Sequence, residues 1–204
     1  MRQQQGPSSI AHQPLQSGLV RFRSQAFEEI HNHFYKCAHP NILELGMPLG
    51  MNVDYFSQYS CRLFIEDLYS RISVLSSINL PRQLESLEYQ QLGDDFAFDL
   101  ILCWDLLDYL RPAQILGVVD LFRPYVKRGS LLYILTSDTR MISDQPQTYR
   151  LADDMHIEPE LLTLEQRENP RHRPGNLQDM LGSFMLQRSY MLTSGRMEHL
   201  FKAV

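Results

Sequence analysis

Glu44, Gly46, Gly50 and the acidic pair Glu66–Asp67 are the residues whose types and spacing point most directly to chemistry. Glycines let a backbone approach a ligand closely, and an acid closing a strand can accept hydrogen bonds from ribose hydroxyls. The stretch that carries them, PNILELGMPLGMNVDYFSQYSCRLFIED at 40–67, supplies elements to position them. Asn41 to Leu45 reads as a short apolar strand, Gly46, Pro48 and Gly50 as a tight turn, the next residues as a short helix, and Arg62 to Ile65 as a second strand ending on the two acids. Strand, glycine turn, helix, strand and acid follow in the order of a nucleotide-binding βαβ unit.

A second stretch, FAFDLILCWDLLDYL at 96–110, is almost continuously apolar over Phe98 to Cys103, as a strand buried on both faces requires. It ends in Cys103, Trp104 and Asp105, with Asp108 and Tyr109 just beyond. Pro112 opens a helix expected to run to about Val126, closed by Lys127-Arg128-Gly129, and Ser130 to Thr136 is the next strand. Upstream, the spacing of Phe27, Ile30, Phe34 and Cys37 predicts an amphipathic helix over 23–37 with Ser24 as N-cap. His31 and His33, two apart, face different sides of it and read as helix-edge residues. A helix over Leu68 to Ile78 and a short third strand over Leu87 to Gln90 follow the opening unit. Residues 137–176 read as polar and irregular, a long loop of the kind that forms a lid, with a short strand or helical turn somewhere in Ile157 to Leu164. Asn176 caps a helix over Leu177 to Gly182, and the chain ends in a hairpin, Phe184 to Leu192 and Met197 to Val204.

Composition bounds the rest. The 204 residues, 44% hydrophobic and 21% charged, suit one soluble globular domain over 19–204, preceded by a flexible Gln-, Ser- and Pro-rich tail over 1–18. The net charge of −5 gives no clear nucleic-acid signal. Cys37, Cys61 and Cys103 lack CxxC spacing, so neither disulfides nor a metal centre are expected. No apolar run is long enough for a membrane span and no signal-peptide core is visible, which leads to the expectation of a cytoplasmic protein.

Taken together, these motifs resemble the class I S-adenosylmethionine-dependent methyltransferases over roughly residues 25–204. ELGMPLG at 44–50 is similar to that family's acid-x-Gly-x-Gly-x-Gly turn, with Glu44, Gly46 and Gly50 matching and Pro48 standing at the middle glycine. The acid after the second strand and the segment FDLILCWDLLDYL, helix, SLLYILT match further. The resemblance implies a doubly wound, mostly parallel seven-stranded sheet with helices on both faces and a C-terminal antiparallel hairpin. It implies S-adenosylmethionine as cofactor, with Glu44 orienting the turn or meeting the amino acid end, and Gly46 and Gly50 allowing close approach. Glu66 or, on spacing, Asp67 would bind the ribose, Gln91 and Leu92 would border the adenine, and Cys103, Trp104 and Asp105 would flank the methionine part. The implied activity is methyl transfer to an unidentified acceptor, with no catalytic residue singled out. Asp105 is a candidate for base or ammonium holder, and Tyr109, Tyr133 and His156 for an acceptor site. Because Pro48 lacks an N–H, the alternative is a catalytically silent module of the same fold that binds a protein partner or a small regulator. A nicotinamide-dependent dehydrogenase is a third option that the terminal hairpin and Glu44 disfavour.

Overall fold

The computed structural model describes residues 21–74, 92, 93, 95–152, 155–160, 162–172 and 174–204. The expected tail, the third strand over 87–90 and Gln91 lie outside them. The described residues begin with β1 (Phe22–Arg23) and α1 (Gln25–Phe34). Ser24 Oγ accepts the Phe27 N–H at 3.0 Å, the expected N-cap. Ala26, Phe27, Ile30 and Phe34 form its buried stripe. The helix ends three residues before Cys37, whose N–H bonds the Phe34 carbonyl in a tight turn.

Next come β2 (Asn41–Glu44), α2 (Gly50–Ser57), β3 (Arg62–Ile65), α3 (Leu68–Val74) and β4 (Phe98–Leu102). After β4 lie a one-turn 3₁₀ segment over Leu106–Tyr109, α4 (Pro112–Phe122) and β5 (Val126–Ser137). The fourth helix is shorter than expected. Pro124 cannot donate to a preceding turn, so a 3₁₀ turn over Arg123–Tyr125 replaces the last helical turn. Lys127, Arg128 and Gly129 belong to β5 rather than to the helix end. Gly129, at φ 97°, lies where β5 shifts register against β4.

The segment expected to be irregular is built of strands: β6 (Met141–Ser143), β7 (Thr148–Leu151), β8 (His156–Glu160) and β9 (Gln166–Glu168). They pair in two small sheets, ordered β1-β8-β7 and β6-β9. Each is too short for its alternation to stand out from a polar background. The final helix, α5 (Pro174–Leu181), starts at a proline suited to the first helical turn instead of at an Asn176 cap. β10 (Phe184–Met191) and β11 (Arg196–Ala203) make the expected hairpin.

The main sheet has six described strands in the order β10-β11-β5-β4-β2-β3. β3, β2, β4 and β5 are parallel, whereas β11 is antiparallel to both its neighbours. Strand alternation divides the core between its faces. Leu43, Ile101, Leu132, Ile134 and Phe201 face α3, α4 and α5. Ile42, Leu100, Leu131, Tyr133 and Leu200 face α1, α2 and the small β1-β8-β7 sheet. Among the described residues no helix is long and apolar enough to cross a membrane.

Candidate functional site

From β2 the chain passes to β3 on one side and then returns to β4 on the other, so the strand order reverses at β2. Crevices at the carboxyl ends of strands form at such reversals. A cleft does lie there, lined by Gly46 after β2, Asp67 after β3, Trp104 and Asp105 after β4, and Gln147 and Thr148 at the start of β7.

Glu44 ends β2 directly beneath this cleft, 1% exposed. Its Oε1 accepts from Asn52 Nδ2 at 2.7 Å and from Trp104 Nε1 at 3.0 Å, while Oε2 has no partner. Burial pushes its carboxyl up to about 7, against the pull of those two hydrogen bonds. A proton on Oε2 fits this pattern.

Trp104 has a left-handed backbone, φ 46°, at a cost of about 1–2 kcal/mol for a residue with a Cβ. Its contacts offset that cost. The indole stacks between Phe27 and Tyr149, with centroids 6.0 and 5.1 Å away, and donates to Glu44. It also lies over Gly46, where an added Cβ would meet Trp104 Cδ1 at 3.2 Å. A side chain at Gly46 would press on the indole.

Asp105 is 4% exposed. Its Oδ2 accepts from the Gln147 N–H at 3.3 Å and lies 3.9 Å from Arg196 Nη1, whereas Oδ1 has no partner. Burial raises its carboxyl pKa, opposed by the Arg196 charge and by hydrogen bonds. Arg196 also donates to the Tyr149 hydroxyl. Behind it, Asp108 Oδ2 accepts from the Ser137 N–H at 2.7 Å, and burial together with the Asp105 charge pushes its carboxyl up to about 8. Asp67 caps α3, accepting from Ser70 N–H at 3.1 Å and Ser70 Oγ at 2.6 Å. Each of its oxygens retains a second lone pair for a ligand.

Of the ten residues expected at the site, Gly46, Asp67, Trp104 and Asp105 meet at the cleft, with Glu44 below. Glu66 turns away to an ion pair with Arg71 at 3.3 Å. Gly50 lines a neighbouring open hollow of about 550 Å³ that meets the cleft at Thr148. Leu92 lines a separate hollow with Asn41 and Arg62 at the amino ends of the strands. Cys103 is fully buried in the core on the α4 side, its thiol pushed up to about 12 by burial. Tyr109, Tyr133 and His156 do not line the cleft. Tyr133 instead donates to buried Glu198 at 2.8 Å.

Sequence reasoning missed Asn52, Gln147, Tyr149 and Arg196. The first is hidden in a helix of weak pattern, and Gln147 and Tyr149 lie in the supposed loop. Arg196 stands in an apparent hairpin turn, yet it opens β11, and its side chain is 11% exposed.

Comparison with solved structures places this architecture. The chain superimposes on an S-adenosylmethionine-dependent methyltransferase of Clostridium acetobutylicum with a TM-score of 0.51, over 87% of this chain and 89% of the other, at 11% identity. It also superimposes on a Sulfolobus solfataricus protein provisionally described as a type 11 methyltransferase, with a TM-score of 0.50 over 89% and 94% of the two chains, at 13% identity. The fold is the class I methyltransferase fold. No protein-family model matches the sequence, and no curated protein matches it. Within the methyltransferase fold, the cleft occupies the switch point of the sheet, and the hairpin of β10 and β11 completes the described edge next to β5.

Proposed function

We propose that this chain is an S-adenosylmethionine-dependent methyltransferase acting on an unidentified acceptor, built on a seven-stranded doubly wound sheet. The observation that carries the reading is the convergence of Gly46, Asp67 and Asp105 on one cleft where the strand order reverses. The free polar atoms there are acceptors, Asp105 Oδ1 and Gln147 Oε1 being buried without partners. They fit a cofactor that presents an ammonium group and ribose hydroxyls, all donors.

Asp67 would accept from the ribose and Asp105 Oδ1 from the ammonium. Gly46 would admit the backbone's close approach, while Pro48 supplies no N–H. Bound S-adenosylmethionine would supply an electrophilic methyl group on a sulfonium sulfur. The protein's contribution would be to orient that methyl toward the acceptor and exclude water.

The cleft encloses only about 50 Å³, against about 300–1,000 Å³ for ordinary ligand sites. Cofactor entry therefore requires the lining segment Gln145–Thr148 to move outward. The same small volume, with Trp104 packed on Gly46, favours a second reading, a silent methyltransferase-like module that binds a protein partner. Calorimetric titration with S-adenosylmethionine and S-adenosylhomocysteine separates the two. The enzyme reading expects micromolar binding, weakened about 10- to 100-fold in Asp67→Asn by loss of a charged hydrogen-bond acceptor worth about 1.5–3 kcal/mol. The asparagine keeps an acceptor for capping α3, so the loss is not one of folding. No heat at millimolar cofactor would sink the enzyme reading in favour of the silent module.

A further inference from the structure

At the opposite end of the sheet from the cleft, His33, Cys37 and Asp99 come together. One ligand atom from each, an imidazole nitrogen, a thiol sulfur and a carboxylate oxygen, lies within 4.8 Å of the other two. We propose that these three side chains form a binding site for a divalent transition-metal ion of the zinc type, independent of the cofactor reading.

The backbone preorganises the set. His33 lies in the last turn of α1, and the turn that follows, with Lys36 N–H on the His33 carbonyl and Cys37 N–H on the Phe34 carbonyl, brings Cys37 onto the same side. Asp99 is fixed at the start of β4, 6% exposed, its Oδ2 accepting the Asn41 N–H at 2.9 Å. His33 and Cys37 are half-buried, so the set is open to water and an ion has a path in. His31, by contrast, points elsewhere and bonds the Tyr59 hydroxyl.

The donor types select the ion. Thiolate and imidazole suit zinc, cobalt and similar metals, whereas magnesium and calcium demand oxygen ligands. Three protein ligands leave a fourth tetrahedral position for water. Ligand atoms around zinc sit about 2.0–2.3 Å from the metal.

Lys127 is the competitor. Its Nζ lies 2.8 Å from Asp99 Oδ1 and neutralises the carboxylate in the metal-free protein. That side chain is 53% exposed and can swing into water when an ion takes its place. Burial and the charges of Lys202, Lys36 and Lys127 hold the His33 imidazole below its usual value despite Asp99, which keeps a lone pair free for ligation. Burial raises the Cys37 thiol, so binding must release its proton.

The test uses the full chain, stripped of metal by a chelator and kept reduced with a phosphine, and titrated with cobalt(II). The expected result is a one-to-one complex with a sulfur-to-cobalt charge-transfer band and the visible bands of a four-coordinate ion, displaced by zinc(II). Cys37→Ser abolishes the charge-transfer band while Cys61→Ser leaves it. His33→Gln weakens binding by more than the roughly 10–100-fold cost of losing a mere supporting residue. Lys127→Gln, which keeps all three ligands, binds more tightly than the native chain. Absence of the band at stoichiometric cobalt, its survival in Cys37→Ser, or weaker binding in Lys127→Gln would each overturn the site.

Discussion

Glu44, buried beneath the cleft, couples its own protonation to the stability of the fold. Its ordinary carboxyl value of 4.5 rises to about 7 on folding because burial penalises the charge. The native state therefore binds more protons than the unfolded chain between about 4.5 and 7, and stability falls as pH rises through that window. The stabilisation is fully present below the lower value and lost above the upper one. Glu44→Gln keeps an oxygen to accept from Asn52 and Trp104 but cannot ionise. Its urea-unfolding midpoint should therefore decline less than that of the native protein between pH ~5 and pH ~8. Parallel profiles would contradict a proton on Glu44. The acid-x-Gly pair, an acid after the second strand and the WD dipeptide were legible as a candidate site because strand ends and glycine turns announce themselves in sequence. The choice between Glu66 and Asp67 was not, since it depends on Arg71 drawing Glu66 aside. The packing of Trp104 into the cleft was equally invisible, because it needs a left-handed backbone and two stacking partners distant in sequence.

At the scale of elements, Asn52 ties α2 to β7. Its amide donates to Glu44 and to the Tyr149 carbonyl at 2.8 Å, and its Oδ1 accepts the Leu151 N–H at 2.9 Å. The small β1-β8-β7 sheet is therefore fastened to the glycine-turn helix across the cleft. Asn52→Ala strands several buried polar groups, and each unsatisfied group costs about 1–3 kcal/mol. The expected loss is about 2–5 kcal/mol in urea unfolding; a change within about 0.5 kcal/mol, as for an ordinary surface substitution, would show that the tie carries no weight. The central helices and strands were legible because each has a strong period or a continuous apolar run. The strands between 141 and 168 were not, because three to five residues with at most three buried side chains leave little pattern. Their order comes from tertiary contacts such as Tyr149 on Trp104, not from propensity.

For the whole molecule, the sheet's two buried faces rank its strands. All five residues of β4 are buried, and β4 lies between β2 and β5. β10 has one neighbour among the described strands, and most of its side chains are exposed. Native-state hydrogen exchange should find the amides of β4 slowest, opening only with global unfolding, and those of Met185–Arg188 among the fastest in the sheet. Equal protection of the two would argue against this strand order. Fold class was legible at this scale because the alternation of strand and helix, the glycine turn and the final hairpin all agree. The metal-ligand cluster was not, since Asp99 joins His33 and Cys37 only after folding.

The most direct test of the cofactor reading uses a property of the chain itself. Its one tryptophan, Trp104, lines the cleft. Titrating S-adenosylmethionine and S-adenosylhomocysteine while following tryptophan emission should give a saturable change at micromolar ligand that shifts to higher concentration in Asp67→Asn. Emission unchanged up to millimolar concentrations of both ligands would contradict a cofactor site at the switch point.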